Sequence, residues 1–407
     1  MATMEPRLAR RTRLAVWGVR TVNWWSRRLG RGAGTVAGGH VGLRIDPSIL
    51  HALTRQRTVV VVSGTNGKTT TSAMVRIGWG GVVAGNETGA NMPEGHVAAL
   101  CASSERRVVL ETDEAWLGTV VQAVTPAVVI LLNLSRDQLD RANEVRQMAQ
   151  RWRDALVSGV YHGVVVANAA DPLVAFAAQD AREVRWVDVP GVWHGDAASC
   201  PHCTRAIVFV DGSWSCPCGF AKPTTLSAVL NQNLDIAGES LTLDLSLPGA
   251  FNDANAAFAT TALVALGVGA HEALERIRTL RSVQGRYGRR LFAGRSLRLL
   301  LAKNPAGTAA LLESLPREDD IWVSINSQIA DGKDPSWLYD VPFEVLRGRH
   351  VWCLGERRLD LATRLSYADV SCEVVDDPRS LRDGVRDVTL IANYTAFREW
   401  MGVTTPC

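Results

Sequence analysis

Residues 63–70 read Ser-Gly-Thr-Asn-Gly-Lys-Thr-Thr, a composition typical of a phosphate-binding loop. The β-branched run 58–62 precedes them and predicts a buried strand, and a helical stretch follows. In such a turn, backbone N–H groups and the helix N-terminus together attract an anion. Lys68 would neutralise the β- and γ-phosphates of ATP, and the Thr69 hydroxyl would bind Mg²⁺. Val62 replaces the first glycine of the usual pattern. The context still predicts ATP binding by Gly64, Thr65, Asn66, Gly67, Lys68, Thr69 and Thr70.

Four of the eight cysteines lie close together, as Cys200, Cys203, Cys216 and Cys218. They form a CxxC pair and a CxC pair with 12 residues between the pairs. In a large chain without a secretory signal, such a quartet is more typical of a metal site than of disulfides. Two short turns around a hairpin can place four thiolates tetrahedrally around Zn²⁺, which leaves no open coordination position. We therefore predict a structural Zn²⁺ ion without a catalytic role, in an inserted zinc ribbon at about residues 196–222.

The elements that must position these groups alternate between strands and helices. Buried strands are predicted at 108–110, 126–132 and 163–167, each followed by a polar side chain, respectively Glu111, Asn133 and Asn168. Ligands bind at the carboxyl ends of strands in open α/β sheets. The alternation implies a parallel sheet with right-handed crossovers. Because Glu111 ends a strand beside the loop, we predict Glu111 and Thr69 as the protein ligands of Mg²⁺.

The length of 407 residues, of which 47% are hydrophobic and 21% charged, suits two or three globular domains. A helix from Asn252 to about Leu280 is predicted to close the first α/β domain, and Gly285–Arg290 is predicted to be a linker. A second α/β pattern begins at Arg298, with strand candidates at 299–301, 321–325, 350–353, 371–375 and 388–391. We therefore expect a short N-terminal region (1–57), a central ATP-binding domain (58–285) and a smaller C-terminal α/β domain (286–407).

Several segments resemble the Mur ligases and the folylpolyglutamate synthetases, which are ATP-dependent amide-forming ligases. The loop 64–70 is similar to their ATP loop, and residues 133–141 are similar to their Asn…Arg-Asp-His-Leu-Asp-Arg segment, with Gln138 in place of the histidine. Residues 249–257 resemble the segment that lies against adenine, and Gly285-Arg286 resembles the junction before their C-terminal domain. The resemblance implies a Mur ligase-like central P-loop domain, with nucleotide contacts from Asn133, Asn255 and Arg286. Gly288 stands where that junction carries a glutamate.

Three further features narrow the resemblance: the short N-terminal region, the four-cysteine module, and the segments that begin at Leu299, Asp331 and Asn393. Together they resemble the MurT family, the ligase subunits of lipid II isoglutaminyl synthases, from about residue 40 onward. The resemblance implies that ATP phosphorylates the α-carboxylate of D-glutamate in the peptidoglycan stem peptide of lipid II. Ammonia would then convert the acyl phosphate to D-isoglutamine. A separate GatD-type class I glutamine amidotransferase subunit would supply that ammonia from glutamine, as the partner in a heterodimer.

The same resemblance suggests roles for residues of the C-terminal domain. Lys303 would reach the acyl phosphate when the domains close. In MurT–GatD pairs, an aspartate of the ligase subunit is thought to orient the amidotransferase histidine, as in any Cys-His-acid triad. Asp334 and Asp340 are both candidates, and the sequence does not choose between them. Trp337 and Tyr339 would then anchor the interface, although an acidic loop is more often a solvated surface.

The N-terminal region has a charge pattern of its own. Residues 1–31 carry eight arginines and one acidic residue, together with Trp17, Trp24 and Trp25. This composition is typical of a surface that meets anionic lipid headgroups, and the alternative is a helix that packs its tryptophans on the protein body. No apolar run is long enough to span a membrane and no signal peptide is evident. We therefore expect a cytoplasmic protein, with peripheral contact at the inner face of the plasma membrane as a further hypothesis.

Two other functions compete with the lipid II reaction. A folylpolyglutamate synthetase-like enzyme would add an amino acid to a soluble substrate, but the cysteine ribbon and the 331–340 loop count against it. A nucleic-acid-binding protein would use the ribbon and the arginine-rich leader. The ribbon, however, carries only Arg205 and Lys222 as basic residues, offset by Asp196 and Asp211. Because a nucleic-acid module should present a basic face, we expect no nucleic acid partner.

Overall fold

The computed structural model describes residues 9–29, 35–86, 90–136, 145–159, 161–191, 193–225, 227–247, 249–283, 287–317, 320–381 and 387–406. Gln138, Gly285 and the expected nucleotide contact Arg286 lie outside these described residues.

Three helices come first: α1 (Arg10–Arg28), α2 (Thr35–Ile45) and α3 (Ile49–Thr54). Residues 58–283 then form an α/β unit, called here the larger unit. Its elements are β1 (Thr58–Ser63), α4 (Lys68–Trp79), β2 (Ala84–Gly85), α5 (Pro93–Ala102), β3 (Arg107–Glu111), α6 (Leu117–Val124), β4 (Val128–Leu131), α7 (Val145–Val157), β5 (Val164–Asn168), α8 (Pro172–Ala178), β6 (Val184–Asp188), β7 (Val208–Val210), β8 (Ser213–Ser215), β9 (Ser227–Leu230), β10 (Asn233–Ile236), β11 (Glu239–Thr242), α9 (Ala250–Ala265) and α10 (Ala270–Arg278).

Residues 287–406 form a second α/β unit, called here the smaller unit. Its elements are β12 (Tyr287–Phe292), β13 (Arg295–Leu301), α11 (Pro305–Glu313), β14 (Asp320–Ser324), β15 (His350–Leu354), α12 (Arg358–Tyr367), β16 (Ser371–Val374), β17 (Val388–Ala392), α13 (Tyr394–Val403) and β18 (Thr405–Pro406). Short 3₁₀ helices lie at Glu114–Trp116, Pro335–Asp340, Phe343–Leu346 and Pro378–Leu381.

The sheet of the larger unit has the strand order β11-β10-β9-β6-β5-β4-β1-β3-β2. Pairing is parallel from β2 to β9 and antiparallel for the β9–β10–β11 edge. Strand β1 lies between β3 and β4, with Val62 opposite Glu111 and Ser63 opposite Leu131. The α/β class and the parallel sheet are therefore confirmed. Parallel strands bring their carboxyl ends to one edge, so the loop after β1 meets the residues that follow β3 and β4.

Alternation along the strands divides the larger unit into two cores. In β1, Val59 and Val61 face one core, and Val60 and Val62 face the other. Because successive strand residues point to opposite faces, a run of valines is the pattern expected when helices cover both faces. Helices α5 to α8 pack on the first face, and α4, α9 and α10 pack on the second.

Two expectations about the elements are wrong. The helix expected over 252–280 is two helices, α9 and α10, because the chain turns at Gly267 with a φ of 83° that favours glycine. In the stretch expected as a linker, Gly285–Arg290, the described residues 287–290 instead belong to strand β12, which pairs antiparallel with β13 and β18. The sheet of the smaller unit has the order β16-β15-β14-β17-β13-β12-β18, with parallel pairing from β16 to β13.

The three N-terminal helices form a layer on the larger unit. Helix α1 buries Ala15, Gly18 and Val19. A Cβ atom on Gly18 would lie 3.3 Å from Val41 of α2, so small residues allow the two helices to approach closely. Trp17, Trp24 and Trp25 are all exposed, and the alternative in which they pack on the body is therefore wrong. Among the described helices, none is both long enough and apolar enough to cross a bilayer.

Candidate active site

The loop between β1 and α4 has the backbone that the sequence predicts for phosphate binding. Gly67 precedes α4 with a φ of 86°, and Gly64 has a φ of 146°. A Cβ atom on Gly64 would lie 2.8 Å from the Cβ atom of Leu132, so this position has no room for a side chain. Helix α4 begins directly after this turn, and the N-terminus of a helix favours an anion.

Asn133, at the end of β4, holds the loop in shape. Its side-chain oxygen accepts a hydrogen bond from the Asn66 N–H at 2.8 Å, and its side-chain nitrogen donates to the Asn66 carbonyl at 3.1 Å. The Asn133 carbonyl also accepts from the Thr65 N–H at 3.0 Å. The Thr65 hydroxyl both donates to the Ser135 carbonyl and accepts from the Ser135 N–H, each at 3.0 Å. The segment after β4 thus holds the conformation of the loop through these hydrogen bonds.

Lys68 is buried and carries its charge into the site. Its ammonium lies 2.9 Å from a carboxylate oxygen of Glu114 and also donates to the carbonyls of Gly64 and Thr65, at 2.5 and 3.3 Å. Sequence reasoning noted that Glu114 lies near Glu111 but did not pair it with Lys68. The pairing depends on the fold, because Glu114 follows the neighbouring strand β3.

Glu111 lies at the carboxyl edge of the sheet, as expected, and is buried. Asn86 fixes its backbone: the Glu111 N–H donates to Asn86 at 2.9 Å, and the Asn86 amide donates to the Glu111 carbonyl at 2.8 Å. Nε2 of His96 lies 2.8 Å from the same carbonyl. Burial lowers the pKa of His96 to about 4, so the ring is neutral at pH 7, and its Nε2–H donates a hydrogen bond to the Glu111 carbonyl. This scaffold fixes the backbone of Glu111 at the carboxyl edge of the sheet, and its role as an Mg²⁺ ligand stays a prediction.

A cavity of about 220 Å³ lies beside the loop, between the two α/β units. The loop contributes Asn66, Gly67, Thr69 and Thr70 to its wall, and the smaller unit contributes Leu300, Leu301, Ala306, Gly307, Ala310 and Leu311. Asn133, Asn168 and Asp171 from the strand ends, and Phe251, Asn252 and Asn255 from α9, complete the polar and aromatic part of the wall. The cavity thus brings most of the predicted nucleotide contacts together.

Asn255 is part of this wall and packs against the loop. Its side-chain oxygen accepts a hydrogen bond from the Thr71 hydroxyl at 3.1 Å, and it would lie 2.6 Å from a Cβ atom on Gly67. The Asn255 amide lies 3.4 Å from the side-chain oxygen of Asn252. The absence of a side chain at Gly67 therefore lets α9 approach the phosphate loop, which places Asn255 both beside the loop and on the cavity.

Asn304 is a site residue that sequence reasoning missed. It is buried at the start of α11, where its side-chain oxygen accepts a hydrogen bond from the Gly307 N–H at 2.8 Å. The Asn304 and Asn66 side chains also exchange two direct hydrogen bonds between the two units, at 3.2 and 3.3 Å. The predicted residue Lys303 is its half-buried neighbour. Asn304-Pro305 is a common helix start, but nothing in the sequence shows that it faces the loop.

Asp171 is a second missed residue on the cavity wall, and it also precedes a proline. Its carboxylate accepts hydrogen bonds from the N–H groups of Leu134, Leu173 and Val174, at 2.9, 2.9 and 3.2 Å. Burial raises the pKa of Asp171 to about 6. Asp171 therefore starts α8 and ties that helix to the segment that shapes the phosphate loop.

Arg136 joins three parts of the molecule. Its guanidinium Nε lies 2.5 Å from Asp196, at the start of the cysteine module, and another guanidinium nitrogen lies 3.2 Å from Asp340 of the smaller unit. Asp196 also accepts from the Arg136 N–H at 3.1 Å and from the Trp193 indole at 2.8 Å. One of the two candidate aspartates, Asp340, is therefore engaged by an arginine of its own chain.

The other residues of the acidic loop differ from each other in exposure. Asp334 is exposed, and its carboxylate accepts a hydrogen bond from the Ser336 N–H at 2.8 Å. Asp331 is buried and accepts from the Thr395 N–H at 2.9 Å. Trp337 is buried in the core of the smaller unit, so the expectation that it anchors an interface is wrong. Tyr339 is exposed and stays a candidate for that role.

The four cysteines of the inserted module converge as predicted. The sulfur atoms of Cys200 and Cys218 are 3.7 Å apart, those of Cys203 and Cys216 are 3.4 Å apart, and all four lie within 4.8 Å of one another. Four thiolates around one Zn²⁺ ion at Zn–S distances of about 2.3 Å would be about 3.8 Å apart, so the residues fit this ion. Trp214 packs with Cys200 and Cys216, and its indole donates to the Ala169 carbonyl at 3.0 Å, which docks the module beside β5.

Comparisons with known families agree with this geometry. Residues 62–189 match the Mur ligase middle domain, and residues 301–397 match the MurT ligase C-terminal domain. The chain is 29% identical to the lipid II isoglutaminyl synthase (glutamine-hydrolyzing) subunit MurT of Staphylococcus aureus strain COL, over 86% of each chain. It is 26% identical to the corresponding subunit of Streptococcus pneumoniae, over 96% of each chain.

Solved structures of peptide ligases share the fold. A pseudomurein peptide ligase type C from Methanothermus fervidus superposes with a TM-score of 0.66 at 18% identity, covering 85% of this chain and 79% of that one. MurF ligase from Thermotoga maritima, solved in complex with ADP, gives a TM-score of 0.59 at 16% identity, covering 88% and 81%. At these identities the likeness concerns the fold.

The Asn66–Asn304 contact yields a test of how the two units are held together. Asn304→Ser retains an oxygen that can cap α11, but it cannot exchange two hydrogen bonds with Asn66. We expect it to lower the free energy of unfolding by about 1–2 kcal/mol. Asn304→Ala also loses the cap, so it should cost about 1 kcal/mol more. Urea unfolding of both variants measures the difference. Unfolding of Asn304→Ser at the wild-type urea concentration would contradict a stabilising role for the pair.

Proposed function

The chain belongs to the MurT family of Mur ligases, and on that premise we propose that it is the synthetase subunit of a lipid II isoglutaminyl synthase. It would use ATP to convert the α-carboxylate of D-glutamate in the stem peptide of lipid II to the amide of D-isoglutamine. The observation that carries the proposal is the cavity that joins the phosphate loop to the MurT-type domain. We place the junction of the two domains at residues 285–286, directly before β12.

The proposed reaction has two steps. A carboxylate oxygen of D-glutamate attacks the γ-phosphorus of ATP, the bond to the β–γ bridging oxygen breaks, and ADP leaves. The nitrogen of ammonia then attacks the carbonyl carbon of the acyl phosphate, the carbon–oxygen bond to phosphate breaks, and the nitrogen loses a proton. Two anions must meet in the first step, so the site has to neutralise both of them.

The described residues suit that electrostatic task. The loop N–H groups and Lys68 would hold the phosphates, and an incoming γ-phosphate would compete with Glu114 for the Lys68 ammonium. Thr69 and Glu111 would hold Mg²⁺, which would supply positive charge to offset that of the phosphates. Asn133, Asn255 and Arg286 are proposed to position the nucleotide, and Lys303 to approach the acyl phosphate. Of these, Asn133 and Asn255 line the cavity.

Ammonia is proposed to come from a GatD-type glutamine amidotransferase subunit, and an aspartate of this chain would orient the catalytic histidine of that subunit. Asp340 and Asp334 are the candidates. The ion pair with Arg136 gives Asp340 a role within its own chain. The exposure of Asp334 on the surface of the smaller unit favours it as the residue offered to a partner. A lipid-linked substrate is held in a membrane, so we also propose that the protein works at the inner face of the plasma membrane.

The reaction itself can be tested with the purified chain, ATP, lipid II and ammonium chloride. We expect amidated lipid II and ADP in equal amounts. Lys68→Ala should have at most about one hundredth of the wild-type rate, because the loop loses its cation. Lys222→Ala is the matched control. It removes a lysine of the inserted module that pairs with Asp188 of β6, and it should keep the wild-type rate of amidation. Addition of glutamate to a folate, with lipid II untouched, would instead establish the folylpolyglutamate synthetase-like function.

The partner proposal predicts a different pattern in the glutamine-dependent assay. With the amidotransferase subunit and glutamine present, Asp334→Asn should abolish glutaminase activity because the partner's histidine loses its acid. Ammonia-dependent amidation by the same variant should persist, which separates this effect from misfolding. Asp340→Asn should retain glutaminase activity, because the Asp340 carboxylate pairs with Arg136 of its own chain. Full glutaminase activity in both variants would overturn the proposal.

Zinc in the cysteine module is also a proposal with a direct measurement. We expect one Zn²⁺ ion per chain in protein purified with reduced thiols. Cys203→Ser should lose the metal and unfold at a temperature lower by roughly 5 °C or more, because metal binding contributes to folding. Cys372→Ser alters a half-buried cysteine outside the cluster, and it should keep both the bound zinc and the wild-type unfolding temperature. Elemental analysis that finds no zinc in the wild-type protein would contradict the assignment.

A further inference from the structure

Helix α1 presents an unusual outer face. Trp17, Trp24 and Trp25 are 66%, 46% and 53% exposed, and Leu14 and Leu29 are also exposed. Trp17 points roughly 200° around the helix from Ala15 and from Val19, both of which are buried. Trp17 and Trp24 therefore point away from the face that packs on α2, and Leu14 and Trp25 lie about a quarter turn from that face. Large apolar side chains grouped on one exposed surface mark a site of interaction with another protein or with a membrane.

The charge of the same helix is all of one sign. Residues 10–28 contain six arginines and no acidic residue. Arg28 lies over the Trp24 ring at 5.1 Å. Nearby carboxylates are already engaged within the protein. Asp46 accepts from the Thr12 hydroxyl at 2.6 Å and from Ser48, and Glu94 lies 3.4 Å from His40. The outer face of α1 is thus cationic and aromatic together.

We propose that this tryptophan face (Leu14, Trp17, Trp24, Trp25 and Leu29, with the flanking arginines) is a peripheral binding site for an anionic lipid bilayer. Indole rings are stable at the boundary between headgroups and acyl chains, and arginines attract lipid phosphates. Both features occur on one convex helix whose other side is fixed to the protein. A nucleic acid would use the arginines but would leave the leucines and indoles without an apolar environment, so the bilayer fits the whole face.

The tryptophan face also has a definite position relative to the phosphate loop. A Cβ atom on Gly38 would lie 2.0 Å from the side chain of Asn23, next to Trp24, and one on Gly39 would lie 1.9 Å from the Glu94 carbonyl. Glu94 lies in the first turn of α5, the helix whose His96 contacts the Glu111 carbonyl. The Trp24–Trp25 end of α1 is therefore at the same edge of the sheet as the phosphate loop. Provided that the proposed function holds, this end would bring the cavity to the bilayer that carries lipid II.

The experiment is co-sedimentation of the full chain with vesicles that contain neither lipid II nor nucleotide, so its outcome does not depend on the proposed reaction. Vesicles of phosphatidylglycerol mixed with phosphatidylcholine are compared with vesicles of phosphatidylcholine alone. We expect binding to the anionic vesicles, weaker at high salt. The triple variant Trp17→Ala, Trp24→Ala, Trp25→Ala should bind the anionic vesicles at least tenfold more weakly. In the double variant Arg13→Gln, Arg28→Gln, the affinity for these vesicles should fall roughly fivefold for each arginine removed.

The matched control is Leu359→Ala with Tyr367→Ala, which removes two exposed apolar side chains from α12 and should leave vesicle binding unchanged. Brominated lipids provide a measurement that needs no variant, because they should quench tryptophan fluorescence of the wild-type chain on binding. Three results would overturn the proposal. They are no binding to anionic vesicles, equal binding by the triple tryptophan variant, and tighter binding to RNA than to vesicles at the same salt concentration.

Discussion

Asn66 is held from two sides by two other asparagines, and the geometry of the site depends on this arrangement. Asn133 of the larger unit satisfies its backbone N–H and carbonyl, and Asn304 of the smaller unit bonds its side chain. An amide is suited to this role because it offers a donor and an acceptor without a charge that would repel phosphate. The loop is thus shaped by one unit while it contacts the other. Any separation of the units would expose Asn66 and open the cavity beside it.

The same cavity is linked to two more distant features through Arg136. Its guanidinium connects Asp196, at the entrance to the cysteine module, with Asp340, on the acidic loop of the smaller unit. Asp196 in turn bonds Trp193, which lines the cavity. The cysteine module therefore contributes to the geometry around the cavity. It presents the carboxylate that fixes the direction of Arg136 and, through it, one end of the acidic loop.

The N-terminal layer shows how burial of small residues leaves large ones exposed. Ala15, Gly18 and Val19 allow α1 to approach α2 closely, and the glycines of α2 allow close contact with α1 and α5. Because these small residues occupy the packed side of α1, Trp17 and Trp24, which lie on the other side of the helix, remain exposed. The exposed tryptophans are thus a direct consequence of the way in which the helix docks.

Much of the fold could be predicted from the sequence because its signals are local. The valine run of β1 predicts a buried strand in any context, and the glycines and lysine that follow it predict the phosphate loop. The spacing of the four cysteines predicts their cluster. By contrast, β12 is rich in arginine and becomes a strand only because β13 and β18 lie on either side of it. A strand of this kind carries little apolar periodicity, so its pairing has to be observed.

The sequence by itself determined the chemistry of this protein: a phosphate loop, a thiolate cluster and carboxylates at strand ends, each specified by residue types within a few positions of one another. Only the tertiary structure decided which of these groups meet. It paired Lys68 with Glu114, set Asn304 against the loop across 238 positions, and buried Trp337 while leaving Trp17 exposed. The physical reason is that hydrogen bonds and packing between distant segments depend on how helices and sheets dock, and docking is fixed by the whole core rather than by any one segment.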